Sequence, residues 1–473
     1  MAIKLPFIKQ HDRVILAPWE KRFDRILTPF EQFVQRETTT GFILMASALI
    51  ALLLANSWIA EDYFHLQHIS FGFHFGDWEL NKSLHHWVND GLMTIFFLVV
   101  GLELKRELLV GELADIKQAS LPIIAAIGGM IVPALIFYSM NPEGDAVKGW
   151  GIPMATDIAF ALGVIALLAK RVPKSLITFL VALAIVDDLG AVLVIALFYT
   201  EELKISYLIL GAVVAGFMIM MNLAGVRRPG MYIFVGLFLW LALLKSGVHA
   251  TLAGVITAFC VPTLSRFDPH TFSRRMRDTL VHFDSTIKPD KGLLGNNEMC
   301  AVVSTLKNGL NGIQTPLSRL ETTMHTPVAF FILPIFAIFN AGVAINFSEF
   351  TTLFNNSVTL GVSSGLIIGK FIGIAGFSFI AIKLGVSVLP TGANHAQLAG
   401  TALLGGIGFT MSIFIAELAY VGNEALITQA KIGILSASLV AGLVGYAILY
   451  KMGAKHAASA SLSHPNAEAE QQS

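Results

Sequence analysis

Several charged side chains stand in the middle of long apolar stretches of this sequence, where their residue types suggest ion chemistry. Asp187 and Asp188 are adjacent and lie midway along the apolar run 175–199, while Lys370 and Asp157 lie inside two other runs. Ionisable side chains are expensive in the core of a bilayer, so they face a cavity or one another. Two or three acids and one lysine at similar depth therefore predict a shared, hydrated interior.

The two adjacent aspartates should have different partners, because neighbouring positions on a helix point about 100° apart. An ion pair between Asp187 and Lys370 could serve only to lock two helices together. That pair leaves Asp188 without a partner, and a carboxylate near the bilayer centre is then either protonated or bound to a cation. A group that does both is a proton/cation exchange site, so a structural ion pair and an exchange site are the two alternatives.

The composition is that of a membrane protein. Of the 473 residues, 55% are hydrophobic and 14% are charged, and the mean hydropathy is +0.69. These values exclude an ordinary soluble enzyme and a disordered chain. Lys+Arg and Asp+Glu both number 32, so no basic surface for nucleic acid is expected. Cys260 and Cys300 form no Cys-x-x-Cys motif, so neither a zinc site nor a disulfide framework is predicted.

The apolar runs predict an all-α polytopic protein with about twelve transmembrane helices, since each run is long enough to cross a bilayer. The predicted spans are 40–58, 84–104, 119–139, 149–169, 175–199, 205–223, 229–244, 247–264, 327–345, 357–382, 397–420 and 432–450. An even number of spans places both termini on one side of the membrane.

The charges of the short connecting loops orient these spans. The basic residues of one side are Lys105, Arg106, Lys117, Lys170, Arg171, Lys174, Arg227, Arg228 and Lys383. Those of the other side are Lys82, Lys148, Lys204, Lys245 and Lys431. Because basic loops stay inside, the first side is predicted to be cytoplasmic, with both termini in the cytoplasm.

The remaining segments divide the chain into five parts. Residues 1–38 predict a cytoplasmic amphipathic segment on the inner membrane surface, with a loosely ordered tail as the alternative. Helices 1–8 occupy 39–264 and helices 9–12 occupy 327–452. The polar insertion 265–326 is interpreted as a solvated cytoplasmic linker, and 453–473, rich in Ala, Ser, Glu and Gln, as a disordered cytoplasmic tail.

A β-hairpin is predicted at 68–82 on the outer side. Phe71, Phe73 and Phe75 alternate along the first half of this segment and are followed by Gly76 and Asp77. Alternating apolar residues next to an Asp- and Gly-containing turn are typical of a hairpin.

Two of the predicted spans contain clustered glycines and look interrupted. The run 149–157 (GWGIPMATD) places two glycines and a proline ahead of Thr156, and 405–412 (GGIGFTMS) places three glycines inside a span. Glycines in spans can simply permit close helix packing. Clustered with Thr or Asp in two halves of a transporter, they instead indicate unwound helices at a transport site.

Four ordered motifs give the chain a specific resemblance. They are 155–163 (ATDIAFALG), 184–190 (AIVDDLG), 245–254 (KSGVHATLAG) and 406–414 (GIGFTMSIF). Together they resemble the bacterial sodium/proton antiporter family NhaA, over nearly all of 40–452 apart from most of 265–318. The resemblance implies two inverted-topology repeats, with the fourth and eleventh helices interrupted and crossing.

The resemblance also implies roles for the charged residues. Asp187 and Asp188 match the carboxylates that bind the transported Na⁺ and carry protons, and Thr156 matches a position that supplies an oxygen near the cation. Asp157 and Lys370 match residues that balance the charges of the facing helix ends, with Lys370 also paired to the first aspartate. The interrupted eleventh helix would contain Gly405, Gly406, Gly408 and Thr410.

A second group of residues matches positions that respond to pH or lie near the working core. These are Glu103, Glu107, Glu321 and His325 at a cytoplasmic funnel, together with His249 and Asp90. The chain departs from the family at Thr322, which replaces a histidine, and this departure puts the pH midpoint in question.

The expected function is an electrogenic, pH-activated exchange of Na⁺ or Li⁺ for protons across the bacterial inner membrane. The resemblance implies no cofactor and no catalytic residue, and a homodimer that forms through the hairpin 68–82. A sodium-coupled solute symporter is an alternative, although no additional polar residues inside the spans would line a larger cavity. An intramembrane aspartyl protease using Asp157 and Asp188 is another, but it gives Lys370 no role. A passive channel would need rings of polar residues, which the sequence lacks.

Overall fold

The computed structural model describes residues 37–75, 78–169, 171–200, 203–265, 267–287, 296–344 and 356–463. The predicted amphipathic segment 1–38 lies outside the described residues except at its last two positions. Lys170 and the end of the tail, 464–473, also lie outside the described residues.

The structure is built from helices, with one two-stranded sheet among the described residues. The first elements are α1 (Glu37–Ala55), α2 (Ala60–His68), β1 (Ser70–Phe75), β2 (Trp78–Ser83), α3 (Met93–Val110), α4 (Ile116–Met140), α5 (Ile158–Ala166), α6 (Lys174–Phe198), α7 (Ile205–Leu223), α8 (Pro229–Ser246) and α9 (Leu252–Cys260). They are followed by α10 (Pro269–Thr286), α11 (Asn297–Ile313), α12 (Pro316–Pro327), α13 (Leu333–Asn340), α14 (Ser357–Ser364), α15 (Phe377–Lys383), α16 (His395–Leu404), α17 (Phe409–Ala419) and α18 (Glu424–Ser463).

Shorter helical stretches connect several of these elements. A turn of helix, Leu84–His86, and a π-turn, Trp87–Leu92, lead into α3, and a 3₁₀ stretch, Asp145–Met154, precedes α5. The π-turn Val328–Ile332 joins α12 to α13. Lys370 lies between two further π-turns, Gly365–Gly369 and Ile372–Gly376, which join α14 to α15. Such turns widen a helix locally and are frequent at functional sites.

The helical, polytopic membrane fold expected from the sequence is confirmed. Among the described residues, 8 helices are long and apolar enough to cross a membrane, or up to 10 if each of two bent pairs counts as one span. The predicted spans 84–104 and 247–264 are not among them. Helix α3 carries four charged residues in its second half, and α9 has only 9 residues because a left-handed Gly247 and a turn precede it. The count of twelve therefore stays a prediction.

The predicted hairpin forms. Strands β1 and β2 pair in antiparallel register from Ser70 opposite Ser83 to Phe75 opposite Trp78. The indole N–H of Trp87 donates to the Phe71 carbonyl at 2.7 Å, so the hairpin is attached to the start of the helix that follows it.

Most of the described residues of 265–326 are helical and exposed, and their interpretation as a solvated cytoplasmic linker stays a prediction. Helices α10 and α11 pack against each other, and α12 continues without a break into the membrane helix that ends at Asn340. Apolar residues at helical spacing explain the pairing, since Phe272 and Met276 of α10 lie against Gly309 of α11. The tail also begins later than expected, because α18 continues to Ser463 through an alanine-rich stretch that favours helix.

Two apolar clusters hold the bundle together. The larger one joins α1, α3, α4, α5, α6 and the helices from α13 to α18. The smaller one joins α3 to α7, α8, α9 and α12. Helix α3 belongs to both clusters and therefore connects the two groups of helices.

Glycines permit a close approach between α4 and the helix that carries Lys370. A Cβ atom on Gly373 would lie 2.9 Å from the backbone nitrogen of Gly129 and nearer still to the carbonyl of Gly128. Contacts of this length with backbone cannot be relieved by moving a side chain. The position of Lys370 relative to α4 therefore depends on the absence of a side chain at Gly373.

We expect Gly373→Ala to destabilise the protein by about 1–3 kcal/mol, the usual cost of overpacking a well-packed core. Gly376→Ala is the matched control, because no atom lies within 4 Å of a Cβ at that position. Thermal denaturation of the purified protein in detergent compares them. Equal midpoints for both variants would contradict the importance of this contact.

Candidate functional site

Two helix breaks meet at the centre of the bundle. The 3₁₀ stretch ends at Met154, and α5 begins at Ile158 after three residues that belong to no helix. Helix α16 ends at Leu404, and α17 begins at Phe409, bent by 46°. The backbone N–H of Asp157 in the first break donates to the Ile407 carbonyl in the second at 2.7 Å. The two predicted interruptions are thus in direct contact.

The Asp157 carboxylate caps the first turns of both helices that leave the breaks. One oxygen accepts the N–H of Phe160 at 3.0 Å in α5, and the other accepts the N–H of Thr410 at 3.1 Å in α17. The Thr410 hydroxyl donates to the same oxygen. Helix N-termini carry partial positive charge, which one carboxylate between them offsets.

The glycines of the second break let it approach the helix that carries Lys370. A Cβ on Gly406 would meet the Leu366 carbonyl, and one on Gly408 would lie 2.9 Å from the side chain of the same Leu366. Gly405 is similarly crowded by Ile374, at 2.6 Å. Larger residues here would push the break away from Lys370.

Asp187 is held by two partners from different helices. It accepts a hydrogen bond from the Thr156 hydroxyl at 2.6 Å and forms an ion pair with Lys370. The Lys370 ammonium also donates to the Thr156 oxygen at 2.9 Å. The Thr156 hydroxyl has one hydrogen, which it can donate either to Asp187 or to the Gly405 carbonyl at 2.7 Å. Threonine thus connects the first break, the second break and the ion pair.

Asp188 differs from Asp187 in having no such partner. Its Oδ1 atom is buried and has no hydrogen-bond partner among the described residues, and the same is true of Asp187 Oδ1. The nearby charges that act on Asp188 are the carboxylates of Asp187, Asp157 and Glu103 and the ammonium of Lys370. A buried acceptor oxygen without a donor is rare and demands an explanation, such as a proton or a bound ion.

All these groups are removed from solvent. Lys370 and Thr156 are 0% exposed, Asp187 is 1% and Asp188 and Asp157 are each 2% exposed. With every group ionised, three carboxylates face one ammonium, so the site has an excess of negative charge that protons or cations can neutralise. The described residues contain no group of three or more His, Cys, Asp or Glu side chains that could hold a resident metal ion.

The structure brings most of the predicted pH-sensing residues together near the far end of α3. Arg106 forms ion pairs with Glu107 at 2.9 Å and with Glu321 of α12 at 3.0 Å. Glu103 interacts electrostatically with all three, and His325 with Glu321. Sequence reasoning assigned Arg106 only to the orienting charges. Its position next to Glu107 could have indicated that ion pair, but no sequence signal pointed to Glu321.

His249 and Asp90 form a separate pair. Their Nε2 and Oδ1 atoms are 3.9 Å apart, and His249 Nδ1 lies 2.8 Å from the Thr251 hydroxyl. The Asp90 carbonyl accepts the indole N–H of Trp240 at 3.0 Å. None of these contacts reaches Asp187 or Asp188. Thr322, at the departure from the family pattern, is exposed and donates to the Ser318 carbonyl of its own helix.

The fold and the site define a helical membrane protein with a buried cluster of charged side chains between two interrupted helices. The family model for Na⁺/H⁺ antiporter 1 matches residues 31–449, and the chain belongs to this family. It is 60% identical over 435 residues to the Na⁺/H⁺ antiporter NhaA 1 of Saccharophagus degradans, covering 92% of this chain and 94% of the relative. It is 49% identical over 432 residues to the Na⁺/H⁺ antiporter NhaA of Sulfurimonas denitrificans, covering 91% and 97%.

The family confirms the expected sodium/proton antiporter and shows a transporter rather than an enzyme. An intramembrane protease is therefore excluded. The geometry agrees, because both carboxylate oxygens of Asp157 accept hydrogen bonds from backbone N–H groups of the helices they cap.

We expect Lys370→Ala to lower stability and to abolish transport, because it leaves Asp187 buried without its counter-ion. Breaking a buried ion pair in this way costs about 3–5 kcal/mol. Lys383→Ala, which removes an exposed lysine farther along the same helical region, is the control. Thermal denaturation and sodium-driven proton movement would be measured on both. If Lys370→Ala behaved like the control, the ion pair would have no importance for either property.

Proposed function

We propose that this antiporter exports Na⁺, and also Li⁺, in exchange for protons that enter the cell, by alternating access of the site at Asp187 and Asp188. The observation that carries the proposal is Asp188, a fully buried carboxylate whose Oδ1 has no donor among the described residues. It lies next to Asp187, whose own free Oδ1 gives a cation a second anionic oxygen. Thr156 adds a neutral oxygen to this set.

Protons and sodium then exchange by competition. In the proton-loaded state Asp188 carries a proton, and Asp187 is neutralised by Lys370. A sodium ion that enters replaces the proton on Asp188 and competes with Lys370 for Asp187. Li⁺ needs the same hard oxygen ligands, so the same site accepts it.

Electrogenic exchange follows if Lys370 also releases its proton. Once Na⁺ occupies Asp187, the displaced ammonium remains in a buried site without a partner carboxylate, an arrangement that strongly disfavours the charged form. Loss of this proton together with that of Asp188 would exchange two protons for one Na⁺. The membrane potential would then drive the cycle.

The interrupted helices give the site its two-sided access. The Asp157 carboxylate balances the partial positive charge at the N-termini of α5 and α17. The Lys370 ammonium is connected to the carbonyl end of α16 by the Thr156 hydroxyl, which contacts both Lys370 and the Gly405 carbonyl. In the proposed arrangement these are the fourth and eleventh helices of two inverted repeats, and they rock as a unit between the two faces.

We place the protein in the bacterial inner membrane with both termini in the cytoplasm, on the basis of the basic loops. The hairpin β1–β2 then lies on the periplasmic side. We propose that a homodimer forms through its residues 68–82, which include an exposed Phe71 at the surface.

Activation with pH would come first from the ion-binding carboxylates, because a protonated site excludes sodium. The ion-pair cluster around Arg106, with Glu103, Glu107, Glu321 and His325, and the separate pair of His249 with Asp90, would add a slower conformational response.

We expect Asp188→Asn to abolish sodium-dependent proton movement, because asparagine keeps the shape but neither ionises nor releases a proton. The control is Asp62→Asn, an exposed acid of α2. Proton release from everted vesicles after addition of NaCl measures both. Normal exchange by Asp188→Asn would disprove the proposed mechanism.

Competition predicts that raising the sodium concentration moves the pH midpoint of exchange downward. Sodium stabilises the deprotonated site, so less alkaline conditions suffice to empty it of protons. If two protons leave for each Na⁺, a tenfold increase in sodium lowers the midpoint by about half a pH unit. Exchange would be measured against pH at several sodium concentrations, in the wild type and in His325→Gln.

The two sources of pH dependence give different results in this experiment. Competition alone keeps moving the midpoint in both proteins, whereas a conformational gate at the Arg106 cluster sets a lower limit that His325→Gln would shift. We expect competition to dominate, since Thr322 removes one titratable group from this cluster. A midpoint independent of sodium would refute that expectation.

A further inference from the structure

A second polar network, buried or half-buried, lies away from the ion site, and the proposed mechanism does not use it. We call His85, Asn89, Asn340, Glu417 and Lys431 the outer network. Lys431 Nζ is 2.7 Å from Glu417 Oε1, and Glu417 Oε2 is 3.7 Å from His85 Nε2. His85 Nε2 is 3.0 Å from Asn340 Oδ1, and the Asn340 amide donates to Asn89 Oδ1 at 2.9 Å.

The outer network joins two pairs of helices. His85 and Asn89 lie in the turns that lead into α3, and Asn340 ends α13. Glu417 lies on α17, the helix that follows the second break, and Lys431 lies on α18. The outer network thus connects a first pair of helices, α3 and α13, to a second pair, α17 and α18.

The same first pair of helices is also connected at its opposite end, but differently. There Arg106 joins α3 to Glu321 of α12, the helix that continues into α13. His85 and Arg106 are separated by about 30 Å of helix at 1.5 Å per residue. At the Arg106 end, no hydrogen bond or ion pair between described residues joins this pair to α16 or α18. Among the described residues, hydrogen bonds and ion pairs therefore connect the pair α3 and α13 to the pair α17 and α18 only at the His85 end.

The outer network is composed of two halves, and the polar groups of each half have partners within that half. Asn89 and Asn340 hydrogen-bond to each other, and Glu417 and Lys431 neutralise each other. His85 stands between the halves and contacts both. Because each half keeps its own partner, the halves can separate without leaving a buried charge unpaired.

An aromatic layer lies beneath the outer network. Phe414, one turn before Glu417 on α17, is 0% exposed. Its ring centroid is 5.5 Å from that of Phe97 on α3 and 6.2 Å from that of Phe336 on α13. These three rings fill the space between α17 and the helices α3 and α13, at a level between the outer network and the ion site.

We propose that His85 and Glu417 are positioning residues of the antiport reaction, whose contact holds α17 against α3 and α13 and closes the periplasmic access to the ion site. The proposal rests on the proposed alternating access and orientation. Release of sodium to the periplasm requires the contact to break, and its re-formation favours the state open to the cytoplasm. Removing the contact shifts the equilibrium towards the outward-open state.

The first test measures the apparent KM for sodium on each face separately. His85→Leu removes the link and leaves both halves intact, and Glu417→Gln weakens the link from the other side. The matched controls are His65→Leu and Glu424→Gln, which change exposed residues of the same types near the same end. Everted vesicles present sodium to the cytoplasmic face and right-side-out vesicles present it to the outer face.

In both variants the KM at the cytoplasmic face should rise and the KM at the outer face should fall, because apparent affinity scales with the population of the competent state. The ratio of the two should change about fivefold or more, the lower end of usual coupling. A purely structural role would lower the amount of active protein and leave this ratio unchanged. An unchanged ratio in both variants would overturn the proposal.

The second test does not depend on transport. Ile413 is buried and lies one turn deeper than Glu417 on the same face of α17. In a Cys260→Ser, Cys300→Ser background, Ile413→Cys is labelled with a membrane-impermeant maleimide added to the outer medium. We expect His85→Leu to raise the labelling rate about fivefold, and His65→Leu to leave it unchanged.

Equal labelling rates in His85→Leu and His65→Leu would overturn the closure of this face. So would failure of both His85→Leu and Glu417→Gln to fold while their controls fold, since the network would then support the fold itself. A wild-type protein without sodium-driven proton release would instead disprove the proposed function. The labelling result would still decide whether the outer network closes the bundle.

Discussion

The ion pair of Asp187 with Lys370, with Asp188 unpaired beside it, is the constraint on which the rest of the structure depends. Charged groups with almost no exposure to water are stable only when partners or ions compensate them. One ammonium cannot neutralise the neighbouring carboxylates, so the site requires protons or cations for its stability. The burial that makes these charges costly is therefore also what would favour the binding of protons or cations in the proposed function.

The two helix breaks solve the second problem of a buried site, which is the loss of backbone hydrogen bonds. In a membrane, unwound backbone is tolerated only where protein or a cavity supplies partners. Here each break supplies partners for the other. Asp157 of the first accepts N–H groups from both following helices, and Thr156 can donate to the Gly405 carbonyl of the second. The breaks are therefore stable as a pair.

Helix α3 connects the ion site to both ends of the bundle. It shares an apolar cluster with each group of helices, and polar networks lie at its two ends. The Arg106 network joins it only to α12 among the described residues, whereas the outer network also reaches α17 and α18. The polar contacts at the two ends of α3 therefore differ in the helices they join.

Much of the protein could be predicted from the sequence. Charges within apolar runs, glycines before Thr156 and around Gly406, and the adjacent aspartates indicated the fold class, the broken helices and the central site, because residue type and burial are strongly coupled in a membrane. The need for a partner suggested an ion pair of Lys370 with an aspartate, and the family resemblance assigned that pair to Asp187, since spacing alone could not choose between the two aspartates.

Only the tertiary structure decided which distant groups meet. Asp157 caps α17 from more than two hundred residues away, and Arg106 joins two acids on different helices. His85, Glu417 and Lys431 look like unrelated residues near helix ends until the helices pack. The helical pair α10–α11 likewise was interpreted as a linker, since its apolar face is covered only by its partner. Periodicity reports which residues are buried, but the partner of a buried polar group is set by how helices pack, which no local pattern encodes.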